Sequence, residues 1–221
     1  MLRQIIGIFQ LLVKAEIRTK EVFLAVLLFL LVDLFIFYFA FSDTEVSVNV
    51  LAPSILWLIH TYVVTMVISN LYQKLQQGMF LSGVMMTGCG NTAVFLALML
   101  FSVLLLTFLS GIMFFLFSMF FHWGFGVSQA RVFLVFFLSG FGFCSSGILV
   151  SELLSHARLK ELLLPVIYFP MVLPLLMASV KASIANAAAF EPRSLFFLLG
   201  INLILFFSSM LLYDFAKEEL A

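Results

Sequence analysis

The sequence predicts an all-α integral membrane protein: six transmembrane helices with both termini on the cytoplasmic side, preceded by an amphipathic interfacial helix. Three observations lead there. The chain has 221 residues, of which 64% are hydrophobic and only 10% charged, where ordinary globular domains carry ~25% charged residues. Its mean hydropathy is +1.23. Its apolar residues gather into six runs, at 22–41, 51–71, 92–121, 132–150, 162–180 and 194–213, each near the ~20 residues that cross hydrocarbon as a helix. No internal repeat or soluble domain interrupts them, so residues 1–221 read as a single transmembrane domain. The formal net charge is zero, and the lack of a basic stripe to neutralise phosphates argues against a nucleic-acid partner.

Residues 1–21 come first. Arg3, Gly7, Gln10, Lys14 and Arg18 recur at spacings of four, three, four and four, and Leu2, Ile5, Phe9, Leu12, Val13 and Ile17 fill the opposite side. A helix with basic residues on one face and bulky apolar residues on the other lies in the membrane interface. The run 22–41 that follows is longer than the 7–15-residue core of a signal peptide and no small-residue cleavage site follows it, so it reads as the first span. The third run, 92–121, exceeds a bilayer's thickness and must tilt or project.

Orientation follows from the connections. The N-terminal stretch, the second and fourth connections and the C-terminus hold eight Lys and Arg residues, against three in the first, third and fifth connections. The positive-inside rule places the richer set, and both termini, in the cytoplasm.

Residues 69–91 form the longest polar-leaning break, on the predicted cytoplasmic side, and 72–90 within it read as a cytoplasmic coupling loop. Leu71, Tyr72, Leu75 and Met79 are spaced as on one face of a short helix, and Asn70, Gln73, Lys74, Gln76 and Gln77 crowd around them. Such a helix would dock a soluble partner; an ordinary interfacial loop has the same pattern. The candidate contact residues are Tyr72, Lys74, Leu75, Gln76, Gln77, Gly78 and Met79.

The fifth span carries Pro165, Pro170 and Pro174 inside an otherwise unbroken apolar run. Each proline removes a backbone donor and clashes with the preceding turn, a defect that membrane bundles tolerate. At about 100° per residue, Pro170 and Pro174 lie about 40° apart and Pro165 lies opposite Pro174. A kinked or discontinuous helix is expected.

Candidate chemistry is sparse. No GxxxxGK[ST] occurs, so any ATP is hydrolysed by another chain, and no HExxH or CxxC spacing marks a metal site. Cys89 and Cys144 fall at different depths and are expected as free thiols. Gly142-Phe-Cys-Ser-Ser-Gly147 has a serine between glycines, but His156, the candidate base, lies near the end of the span, and small residues in such a run serve close helix packing. Asp33 sits near the middle of the first span, where an ionised carboxylate costs about 2.5–3.5 kcal/mol. It either has a functional role or, hydrogen-bonded, holds helices together; the lack of a second intramembrane charge speaks for the latter. Asn202, at similar depth in the sixth span, is its expected partner. His60 reads as a packed core residue. His122, beside Trp123, is either a haem contact or an interface anchor.

Several stretches resemble the CcmB-type family, the membrane subunit of the cytochrome c maturation haem exporter. They are residues 16–41, the run Ala52-Pro53-Ser54-Ile55-Leu56-Trp57, the break 72–96, and above all the LLP…FP…LP…ASVKA pattern of 162–183, with the aromatic and acidic tail 211–219. Met79, Phe80, Leu81 and Ser82 depart from the acidic residues that the family's loop carries, and Asp33 stands at an ordinarily apolar position. The resemblance implies an ABC-2-type permease in the bacterial cytoplasmic (inner) membrane, itself without catalysis. It further implies a separate cytoplasmic ABC ATPase docking at 72–90, a CcmC-like haem-handling partner, a second copy of this chain, and coupling of ATP hydrolysis to haem export or release of a haem-loaded chaperone. Haem would be substrate and ATP would act through the partner. Two alternatives share these sequence features: an ABC-2 permease for a lipid, polymer or drug, and a secondary transporter using Asp33.

Overall fold

The computed structural model describes residues 2–41, 48–77, 90–121, 127–155, 157, 159–184 and 192–220. Seven α-helices make up almost all of them: α1 (Leu2–Thr19), α2 (Glu21–Phe41), α3 (Val48–Gln77), α4 (Asn91–Phe121), α5 (Val127–Leu153), α6 (Lys160–Ile184) and α7 (Pro192–Leu220). The last six are each long and apolar enough to cross a membrane, and the chain is an all-α membrane protein.

Apolar runs become helices here because hydrocarbon offers no partner to a bare N–H or C=O, so every backbone group has to be satisfied within its own segment. The bundle is organised around α5, which packs against α3, α4, α6 and α7. Helices α3 and α5 run parallel: Trp57 stacks on Phe136 at 4.2 Å between ring centroids, and eleven residues further along each helix Ile68 meets Gly147.

Helix α2 lies outside this core, against α3 and α4. It runs parallel to α4, because Phe23 meets Phe108 and Phe35 meets Phe120. The two helices start at different levels. Phe108 lies about 25 Å along α4 from Asn91, at 1.5 Å per residue, so the first half of α4 projects past the start of α2. That half is covered by α7 instead, through Phe95 against Phe206 and Tyr213. The long third run of the sequence therefore projects.

Helix α1 crosses α4 steeply. Its groove-lining residues from Ile5 to Ile17, about 18 Å of helix, border the short stretch Leu100–Phe108 of α4. Ile8 and Leu12 are buried against the bundle, while Arg3, Lys14 and Arg18 are exposed. The corner between α1 and α2 is one residue wide. Lys20 adopts φ 55°, its amide donates to Glu16 O at 2.8 Å, and its carbonyl accepts from Leu24 N at 3.0 Å. A left-handed turn is thereby inserted with almost no break in hydrogen bonding.

Two expectations change. The stretch beginning at Tyr72 is not a separate short helix: as far as Gln77 it forms the last turns of α3, because the apolar face of the second span continues through Leu71 and Tyr72. Of the two alternatives for the proline-bearing segment, kinked or discontinuous, the second is removed, since α6 is one helix over Lys160–Ile184. Pro170 and Pro174 are exposed and Pro165 is half-buried, so the donors they lack and the turns they crowd lie largely away from the core.

Candidate coupling site

Polar side chains in an apolar bundle are costly unless satisfied, and here they concentrate where α5 meets its neighbours. Gly142 allows one close approach. Its backbone N–H donates to Asn202 Oδ1 at 2.9 Å, and Asn202 Nδ2 donates to Leu198 O at 2.9 Å. A Cβ at position 142 would lie 2.5 Å from Asn202 Oδ1 and 2.8 Å from Leu175 Cδ2, so only glycine permits this junction of α5, α6 and α7. Gly147 plays the same part toward α3, where a Cβ would overlap Ile68. The small residues of 142–147 thus serve close packing, as their composition suggested. Ser145 and Ser146 both donate to Gly142 O, at 3.1 and 2.7 Å; these serines satisfy their own helix and face no base. Cys144, just before them, is buried and free.

Two further bonds tie α6 into the core. The buried Tyr168 hydroxyl donates to Phe143 O at 3.1 Å. Trp57 Nε1 donates to Ser183 Oγ at 2.8 Å, and Ser183 passes its own proton to Ser179 O at 2.9 Å.

His60 is a core residue, as expected. Its ring packs 4.6 Å from Phe136 and 5.3 Å from Trp57, and its Nδ1 lies 3.2 Å from Ser110 Oγ. Ser110 gives its only proton to Leu106 O at 2.7 Å, so the imidazole must donate through Nδ1. That assigns the neutral tautomer with Nε2 unprotonated.

The expected pairing of Asp33 with Asn202 is not made. Asn202 uses its amide on Gly142 and Leu198, and it lies on α7, whereas Asp33 is half-buried on α2. Equal depth did not bring the two together because α2 packs mainly on α3 and α4, whereas α7 packs mainly on α5 and α6 and on the part of α4 that projects past the start of α2.

Among the candidate docking residues, Tyr72 is buried, at 5% exposure. It sits one turn beyond Ile68 on the face of α3 that meets α5, so it belongs to the core and not to a free surface. Lys74, Leu75, Gln76 and Gln77 continue α3 without interruption. Gly78 and Met79 lie outside the described residues, as do Cys89, His122 and His156.

One buried acid escaped the sequence reading. Glu152, at the end of α5, is only 7% exposed and interacts with the Tyr213 side chain on α7. A span ended at residue 150 leaves it in a connection; the signal available was Ser151 and Glu152 continuing the helical run. Among the described residues the arrangement contains hydrogen-bonded ties between helices and no paired nucleophile and base. Its chemistry is mechanical: α5 holds α3, α6 and α7 at fixed distances through glycine notches and side-chain bonds.

A family model described as CcmB protein matches residues 3–219, nearly the whole chain. No curated protein matches, and no solved structure does.

Proposed function

The chain belongs to the CcmB family, which makes it a membrane component of the haem exporter for cytochrome c maturation, and from that premise we propose that it couples ATP hydrolysis by a separate subunit to the work of the complex. A cytoplasmic ABC ATPase docks on the segment 72–90, through residues other than the buried Tyr72, at the inner face of an N-in, C-in permease in the bacterial inner membrane. The output is haem export or release of a haem-loaded chaperone, with haem as substrate and a CcmC-like protein as its handling partner.

The continuity of α3 is the observation that supports this reading best. Lys74–Gln77 belong to the same uninterrupted helix as Trp57, His60 and Ile68, which hold α6, α4 and α5. A displacement at the docking end is carried along a helix that bonds to three others, because packed interfaces shift between discrete arrangements and do not deform gradually. The outward apolar face of α6, with Val166, Pro170, Leu173, Pro174 and Met177 exposed, suits a second copy of the chain.

Co-purification tests the reading. The wild-type chain is expected to retain an ATPase subunit, and replacing Lys74–Gly78 to release it. Deletion of the chain is expected to abolish c-type cytochromes. Retention of the ATPase with intact c-type cytochromes after deletion would point to an ABC-2 permease for a lipid, polymer or drug. Transport driven by a proton gradient without any ATPase, and lost in Asp33→Asn, would point to a secondary transporter.

A further inference from the structure

Asp33 lies in the middle part of α2, a spanning helix that shows much of its surface to the outside of the bundle. The residue is half-buried, and Val32 and Ile36 near it are exposed. Among the described residues no hydrogen bond or ion pair reaches its carboxyl.

The neighbouring helices extend this face. One turn back along α2, Phe29 packs against the Tyr62 ring of α3 at 6.1 Å, and Tyr62 packs in turn against Phe169 of α6 at 5.8 Å. Tyr62 is 44% exposed, and its hydroxyl likewise makes no hydrogen bond among the described residues. Leu58, one turn from Tyr62 on α3, is exposed as well. A lateral face of the bundle therefore carries a carboxyl and a phenol at levels about one helical turn apart.

Lipid tails satisfy neither group. A carboxylate at the centre of a spanning helix costs about 2.5–3.5 kcal/mol, and ionisable residues inside a membrane pair with a group that offsets this. The chain does not supply that group itself, because the Asn202 amide is bonded to Gly142 and Leu198. A second copy brings no cation to this depth either. In the described spans Lys and Arg occur only as Arg131, Lys181 and Arg193, each within three residues of a span's end. Charge complementarity calls for a different chain.

We propose that the face around Asp33 and Tyr62 docks a spanning helix of another membrane protein, one that carries a single Lys or Arg at mid-depth. Its cation pairs with the Asp33 carboxylate and donates to the Tyr62 hydroxyl oxygen. The charge selects the partner, since an otherwise apolar helix leaves Asp33 unpaired. This contact is lateral, within the membrane, and separate from the segment 72–90 and from the α6 face that suits a second copy.

Energy transfer in nanodiscs tests the proposal, between the labelled full chain and a synthetic Leu/Ala spanning helix with one central Arg. The Arg-centred helix is expected to bind about tenfold tighter than the same helix with a central Leu, the scale of a strong polar contact between model membrane helices. Asp33→Asn is expected to abolish that preference and Tyr62→Phe to lower it about threefold, both with an unchanged unfolding midpoint, while Asp33→Glu keeps it. Affinity is the readout here, because a complex held by further contacts stays assembled without this one. The proposal is overturned if wild type does not prefer the Arg-centred helix, if Asp33→Asn retains the preference, or if Tyr62→Phe leaves it whole. It is overturned equally if transfer between two differently labelled copies of the chain is lost in Asp33→Asn, which assigns the face to a second copy.

Discussion

Helices α5 and α2 are both apolar enough to cross a membrane, yet 72% of the spanning window of α5 is buried within the bundle against 22% of that of α2. The interactions differ in kind as well as amount. Around α5, glycines admit neighbouring helices and side chains bond across the gaps: Asn202 to Gly142, Tyr168 to Phe143, Trp57 to Ser183. Around α2 the cross-helix contacts are aromatic, such as Phe23 with Phe108 and Phe29 with Tyr62. Lipid tails are as apolar as leucine, so burial alone gives little drive for helices to associate in a membrane, and close packing and interhelical hydrogen bonds supply it. The α5 neighbourhood should therefore behave as a rigid unit and α1–α2 as an attached layer.

The contrast breaks most visibly at glycine. Gly142→Ala should destabilise the protein by about 1–3 kcal/mol, the ordinary result of adding bulk to a packed core, measured by thermal or steric-trap unfolding in detergent. Gly200→Ala, whose Cβ meets nothing within 4 Å, should be neutral or stabilise by about 0.5–1 kcal/mol. Equal losses at the two sites would show that the notch at α5 is not special.

Asn202→Leu comes next. It removes the amide that joins α7 to α5 and should cost about 1–2 kcal/mol while leaving secondary structure by circular dichroism unchanged. Trp57→Phe keeps the ring against Phe136 but deletes the donor to Ser183. Its cost should be nearer 0.6 kcal/mol, the average for hydrogen bonds between membrane helices, and it should fall on the α3–α6 contact alone in a double-mutant cycle with Ser183→Ala. Asp33→Asn should have the smallest effect: unchanged assembly with the ATPase and unchanged c-type cytochrome content, since Asp33 lies on the peripheral α2 and is not bonded to Asn202.

Much of this architecture is legible in the residues. Six apolar runs give six long helices, the spacing Arg3, Gly7, Gln10, Lys14 and Arg18 gives the polar side of α1, and 142–147 is rightly read as a packing surface. Partnerships are not legible. Asn202 and Asp33 share a depth, and depth was the only criterion available, but choosing between Asp33 and Gly142 requires knowing which helices are neighbours. Tyr72 looked like part of a polar break because Gln73 and Lys74 follow it; it is buried because α3 continues past the apolar run and keeps the same face against α5. Glu152 was passed over for the converse reason: a charge marked the end of a span to the eye, while the helix carried it inward to Tyr213.

The sequence by itself determined the class of protein, the number of spanning helices and the amphipathic entry, because hydrocarbon forces each apolar run into a helix whatever surrounds it. Tertiary structure alone decided that α5 lies at the centre, that α2 starts about 25 Å beyond the beginning of α4, and that Pro170 and Pro174 face outward. Those are matters of which surfaces meet, and in a chain that is apolar almost everywhere, hydrophobicity cannot tell a face that packs on another helix from one that packs on lipid.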